Sequence, residues 1–447
     1  MRTEEYLTIL TDQIRCRMAR GAVREEIRCH IEDQTAAFLS EGMEQAEAEE
    51  AAVREMGDPV ETGNELNRIH RPRMAWGMIG LIAALSLAGY LIQNFMQEKW
   101  IAAGAGAWSS PYSFVYMLAG LAVMMAACFA DYTRIAGRAR EILILLYLFL
   151  AVSPAVLGIL SINGSASWIY LPMTGITLNL AYVQLIIVPI YAAVLYRYRG
   201  QGMSAVLKAV LWMIPSVLLM ARRPNIILAG VLLLTYLVVL AAAVWKKWFR
   251  VPRKPVLAGI AVFAAGMPAA AAALTWLFGE GYQRERLRAV LDPSGSEAGY
   301  GASLVREVLG GSRMLGGDAA DITRLPDLGN FVLSGVIVYY GIIAAVLLAG
   351  LILFLFVRFM RISLRQKNQL GMLMGTGCSA VFLLELILYI LNNLGVVYVD
   401  SYCPFLTSGG TGMIVMYLML GILLSIYRYQ NTAPERKASA RLFRMSE

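Results

Sequence analysis

Histidine is nearly absent from this 447-residue chain: His30 and His70 are the two, and both precede the first long apolar run. Everything after Met74 therefore lacks the imidazole that a His-ligated metal centre or a Ser–His triad requires. Cysteine is also scarce. Cys16, Cys29, Cys128, Cys378 and Cys403 show no Cys-x-x-Cys or other metal-ligand spacing. Cys128 and Cys378 sit inside apolar runs, where a thiol behaves as a small hydrophobe. Charge is thin at 16%, against 58% hydrophobic residues and a mean hydropathy of +0.59. So few charges cannot cover the surface of a soluble domain, and the composition predicts a polytopic membrane protein. The net charge of +8 has no aromatic-interleaved basic patch behind it outside short loops, so nucleic-acid binding is excluded as its meaning. It reads instead as the cationic bias of loops on one side of a bilayer. The first apolar run begins only at Met74, so no signal peptide is expected and the preceding segment should stay in the cytoplasm.

Ten apolar runs are long enough to cross ~30 Å of hydrocarbon. They fall at 74–96, 111–131, 141–162, 179–196, 204–221, 224–244, 256–279, 331–357, 370–397 and 411–428. Lys and Arg in alternate short loops set the orientation. Arg134, Arg138 and Arg140 share a side with Arg197 and Arg199, with Lys246 to Lys254, with Arg358 to Lys367, and with the tail residues Arg436, Lys437, Arg441 and Arg444. Both termini are then cytoplasmic, and the polar segment between Gly281 and Phe331 faces outward. The expected fold class is all-α. About ten transmembrane helices cover 74–428, with a large extracellular loop at 280–330, a small helical cytoplasmic domain at 1–73 and a cytoplasmic tail at 429–447.

In residues 1–70, apolar side chains recur at helical spacing through Tyr6, Ile9, Leu10 and Ile14, and again through Ile27, Ile31 and Phe38. Gly57-Asp58-Pro59 interrupts that pattern. Gly permits a turn, Asp can cap the next helix, and Pro suits its first turn. Met56-Gly57-Asp58-Pro59-Val60, with Glu61, resembles the small helical prefix found ahead of permeases and related membrane proteins. Such a prefix implies a cytoplasmic anchor for packing or partner contact, with a regulatory ligand site as the alternative.

The 281–330 segment carries an ordered set of motifs: Tyr282-Gln283-Arg284-Glu285-Arg286, Leu291-Asp292-Pro293, Gly299-Tyr300, Gly310-Gly311-Ser312, Leu315-Gly316-Gly317 and Leu325-Pro326 leading to Asn330-Phe331. Beyond it stand Asn393-Leu394-Gly395-Val396-Val397 and Pro404-Phe405-Leu406-Thr407-Ser408-Gly409-Gly410-Thr411. In this order and at these intervals they resemble the FtsW/RodA/SpoVE family of cell-wall polymerases. The resemblance implies a multi-pass protein of the bacterial cell membrane, acting in peptidoglycan synthesis, cell shape or cell division. It implies lipid II or a related undecaprenyl-linked precursor as substrate and a class B penicillin-binding protein, a transpeptidase, as partner. No cofactor is implied beyond a divalent cation.

That family's reaction needs a carboxylate near the outer mouth to take a proton from the acceptor sugar hydroxyl. The family's aspartate matches Asn330 here, and an amide is not a base at neutral pH. Three residues earlier, Asp327 is the candidate substitute; its other reading is an acid at a helix N-terminus. Glu385, inside the ninth run, is the other acid expected to face a groove or a hydrogen-bonding partner. Arg284 and Arg286 suit diphosphate contacts or, alternatively, a solvated loop face. Trp168, Asn393, Ser408, Gly409 and Gly410 complete the implied substrate-binding set. Where the family has charged groups in two other loops, this chain has Asn179 and Asn225. The pattern is a kept scaffold with depleted polar chemistry. The outcomes it leaves open are a polymerase with a relocated base and a non-catalytic relative that binds precursor or a transpeptidase. A transporter is a third, resting on topology and the prefix.

Overall fold

The computed structural model describes residues 1–102, 112–162, 165–171, 176–222, 225–279, 281–291, 299–316 and 319–430. Arg223-Pro224, Asp292-Pro293, Gly317 and the cationic tail residues lie outside them. The chain divides into two compact units.

One unit comprises Met1–Ala75, Gln366–Gly371 and the chain from Ile426. Its helices are α1 (Thr3–Asp12), α2 (Arg17–Ser40), α3 (Gln45–Glu55) and α4 (Pro59–Ile69). Tyr6, Leu7, Leu10, Ile14, Val23, Ile27 and Ile31 form its core with Ala52 and Val53, while Phe38 packs against them from the edge. The α3–α4 corner follows from three residues. Gly57 turns the chain at φ +77, a conformation costly for any side chain with a Cβ. Asp58 accepts from the Val60 amide at 2.7 Å, and Pro59 occupies the first turn.

The second unit comprises Trp76–Arg365 and Met372–Ser425. In chain order the elements beyond α4 are α5 (Trp76–Ala102), α6 (Ser113–Phe129), α7 (Tyr132–Gly137), α8 (Ala139–Leu157), β1 (Leu160–Ile162), β2 (Ser165–Leu171), β3 (Ile176–Asn179), α9 (Leu180–Val183), α10 (Ile187–Tyr196), α11 (Met203–Ala221), α12 (Ile226–Trp245), α13 (Arg253–Phe278), α14 (Gly281–Leu291), α15 (Tyr300–Gly310), α16 (Val332–Tyr340), α17 (Ile342–Leu364), α18 (Gln369–Asn393) and α19 (Gly410–Arg428). Among the described residues, eight helices are long and apolar enough to cross a membrane. Ser113–Phe129 and Leu180–Tyr196 are shorter apolar helices. The all-α polytopic expectation holds.

Two of the expected runs end differently. The run at 141–162 stops being helical at Leu157, and Gly158 leads into a three-stranded antiparallel meander in the order β1-β2-β3. Trp168 sits at its centre, across from Leu160 on one side and Asn179 on the other. The run at 331–357 is not one helix but two, α16 and α17, broken at Gly341 with φ +97. A Cβ there would lie 2.6 Å from the Met314 carbonyl oxygen, so only glycine lets the two backbones approach. The break frees backbone groups that an apolar surrounding cannot satisfy. Residues 313–316 satisfy them: Ile342 and Ile343 amides donate to Arg313 and Met314 carbonyls at 3.1 and 3.2 Å, and Gly316 N–H donates to Tyr340 at 3.1 Å.

Candidate functional site: a polar mouth at one end of the helix bundle

Four segments converge at one end of the second unit: the turn before α16, the loop 394–409 between α18 and α19, the start of α9, and the β-meander. Asp327 organises the first. Its Oδ1 accepts from the Gly329 amide and its Oδ2 from Asn330 Nδ2, each at 2.8 Å. The side chain thus closes the turn ahead of α16 and contacts Asn330 as well. Both residues are half-buried.

Asn393, at the end of α18, is fully buried and spends all its hydrogen-bonding capacity inside the protein. Its Oδ1 accepts from the Ser334 amide at 3.0 Å and the Ser334 hydroxyl at 3.1 Å. Its Nδ2 donates to the carbonyls of Asn330 (3.1 Å) and Tyr389 (2.9 Å). The residue clamps α18 to the turn before α16 and leaves no side-chain hydrogen bond spare.

The loop after α18 follows the same path. Tyr398 stacks on Phe331 with ring centroids 5.9 Å apart, and Asn392 Oδ1 accepts from the Val399 amide at 3.1 Å. This brings Asp400 to the mouth, where the Tyr182 hydroxyl donates to its Oδ1 at 3.1 Å. Asp400 keeps one side open to solvent while protein packs around the rest. That surrounding mass raises its pKa above the ordinary aspartate value; the Tyr182 hydrogen bond partly offsets the rise and the nearby Asp327 carboxylate adds to it. Sequence reasoning passed over Asp400. It lies between the two motifs that carried the resemblance, and one acid in a loop has no periodic signal.

Glu385 is at most 1% exposed. Its Oε2 accepts from the Tyr402 amide at 3.0 Å, so it braces the loop from below rather than opening onto the mouth. Tyr402 packs on Tyr182 at 5.0 Å and donates its hydroxyl to the Gly409 carbonyl at 3.1 Å. Ser408 N–H reaches the Gly329 carbonyl at 3.4 Å, which joins the Gly409-Gly410 turn to the Asn330 turn. Ser408, Gly409 and Gly410 also line a cavity of about 210 Å³ with Gln93, Ser113, Tyr116 and Met413. The meander enters through Asn179, whose amide donates to Thr411 Oγ at 3.2 Å; half-buried Trp168 is its cross-strand neighbour.

Of Arg284 and Arg286, only the Arg284 side chain is described, and it is not drawn into this cluster. Both residues lie on α14, which packs against α13; the Arg284 side chain is exposed and is not among the hydrogen-bond partners of Asn330 or Asp327. Neighbouring Arg288 lies over the Trp276 ring at 5.2 Å. Among the described residues, no three His, Cys, Asp or Glu side chains are grouped to hold a metal ion.

A helical membrane body whose loops knit into one polar mouth defines an integral membrane protein with a site at the end of its bundle. Residues 73–432 match the FtsW/RodA/SpoVE family of cell cycle proteins, and the chain belongs to that family. It is 27% identical over 188 residues to the peptidoglycan glycosyltransferase MrdB of Escherichia coli, covering 39% of this chain and 49% of that protein. The probable peptidoglycan glycosyltransferase FtsW of Trichlorobacter lovleyi is 25% identical over 183 residues, covering 39% and 48%. The chain thus spans about half the length of the curated relatives it matches. Its fold superposes with a TM-score of 0.62 on a chain of a peptidoglycan synthase complex that coordinates polymerization and crosslinking. That match has 21% identity and covers 80% of this chain and 98% of the other. For the Rod shape determining protein RodA of Thermus thermophilus the TM-score is 0.55, with 18% identity and coverage of 80% and 97%.

Proposed function

We propose that this protein acts in peptidoglycan synthesis for cell shape or division, in the bacterial cytoplasmic membrane with both termini cytoplasmic. On this reading the mouth faces outward and takes lipid II or a related undecaprenyl-linked precursor. The reaction joins disaccharide units as the lipid diphosphate leaves. The observation that supports it is the intact mouth. Asn330, at the position of the family aspartate, lies 2.8 Å from a carboxylate, Asp327, in a turn tied to the Gly409-Gly410 loop. Arg284 and Arg286 are then cations for the diphosphate. A single-span penicillin-binding protein is the proposed partner, in keeping with the synthase complex that shares the fold. Purified full-length protein given labelled lipid II is expected to make glycan polymer. Absence of polymer where an active relative succeeds overturns the polymerase reading.

The second reading is a non-catalytic relative that binds precursor or positions a transpeptidase. Asn330 itself favours it, because an amide accepts no proton, and so does the burial of Glu385. Here wild-type protein binds lipid II or co-purifies with the transpeptidase yet polymerises nothing, and Asn330→Asp gains polymerase activity. Purification with neither lipid nor partner counts against it.

A further inference from the structure

Among the described residues three acids lie around the mouth, and two are committed elsewhere. Both oxygens of Asp327 hold its own turn. Glu385 is sealed beneath the loop. Asp400 is the most open to solvent of the three, with the Tyr182 hydroxyl fixing one oxygen at 3.1 Å. Glu385 is within electrostatic range of Asp400. The Asp327 carboxylate that accepts from Asn330 also lies within electrostatic range of Asp400, so the accessible acid stands beside the turn that carries the family's aspartate position.

We propose that Asp400 is the proton acceptor for the glycosyl transfer, the role that Asn330 cannot fill. The assignment rests on the polymerase reading above and names a residue that reading leaves open. The acceptor sugar hydroxyl oxygen bonds to the anomeric carbon of the lipid-linked donor. The bond from that carbon to the diphosphate oxygen breaks, and the diphosphate leaves with the electron pair. The hydroxyl proton passes to the Asp400 carboxylate and then to water. Tyr182 is a positioning residue: it orients Asp400 and stabilises the anion by donating to it. Asp400 is faced by Tyr182 from α9, by Asp327 from the turn before α16 and by Glu385 from α18.

The test uses full-length protein in detergent with labelled lipid II. Asp400→Asn is expected to lower the polymerisation rate about 100-fold or more, the usual scale for loss of a general base. Asp327→Asn, which weakens the turn and removes a charge that raises the Asp400 value, is expected to lower it about tenfold or less and to move the acid limb to lower pH. The base works as an anion, so wild-type rate falls as pH drops through the raised Asp400 value. Tyr182→Phe removes the hydrogen bond that favours the anion, so it moves this acid limb to higher pH while the protein keeps its wild-type thermal unfolding. That shift distinguishes positioning from a structural role, and it stands even where Asp400→Asn misfolds. An active wild type with a folded Asp400→Asn at full rate, or an unmoved acid limb in Tyr182→Phe, overturns the Asp400 assignment alone. A wild type that makes no polymer overturns it together with the polymerase reading.

Discussion

The helices α13 and α18 are both long and apolar enough to cross a membrane, yet they live in opposite surroundings. None of α13 is buried by protein, whereas 72% of the apolar window of α18 is. On α13, Val262, Phe263 and Phe278 point outward, at 72%, 55% and 81% exposure, amid alanine and glycine. On α18, Thr376, Ser379, Glu385, Asn392 and Asn393 are all buried. In hydrocarbon an unpaired polar group is costly, so polar side chains collect on the helix that has protein neighbours to satisfy them. Hydropathy finds both helices alike; the distribution of polar residues separates scaffold facing lipid from scaffold that shapes a site.

The largest effect that would sharpen this contrast is expected at Asn393. Asn393→Ala orphans the Ser334 amide and takes a donor from the Asn330 and Tyr389 carbonyls in a buried place, and should destabilise the protein by about 3 kcal/mol. Thermal unfolding in detergent measures it. A smaller loss is expected at Gly377 on the same helix, where a Cβ would meet Val188 Cγ1 at 2.8 Å and Val239 Cγ2 at 3.1 Å. Gly377→Ala should cost about 1–3 kcal/mol, with both valines obliged to shift. The smallest belongs to α13. Ala265 is exposed, and Ala265→Leu should change stability by less than about 0.5 kcal/mol. If Ala265→Leu proves as damaging as Gly377→Ala, α13 is a packing face and the contrast collapses.

The helical body was legible because the bilayer fixes the length of an apolar run. The corner at Gly57-Asp58-Pro59 was legible because each of its residues has one backbone task. The break at Gly341 was not: an isolated glycine within the apolar run 331–357 carries no local stop signal, and the groups that tolerate it come from residues 313–316. The meander was hidden too. Ser165–Leu171 is short, lies among apolar residues, and has no sequence mark that separates strand from helix end. At the mouth, resemblance pointed to Asn330 and so to Asp327, and the hydrogen bond between them lay three residues apart in the sequence. Asp400 meets Tyr182 across 218 positions, a pairing visible only once both loops are placed.

The hydrogen bonds across the Gly341 break have a mechanical consequence. Residues 313–316 are fastened at the far end of α16, while Asn330 is fastened to Asn393 at its near end. Residues 319–329 are therefore a strap running back along one short helix between the two anchors. Lengthening it adds slack without shifting either anchor. Shortening it below the ~13 Å length of α16 must pull one anchor loose, and the turn that carries Asp327 and Asn330 lies next to the near one.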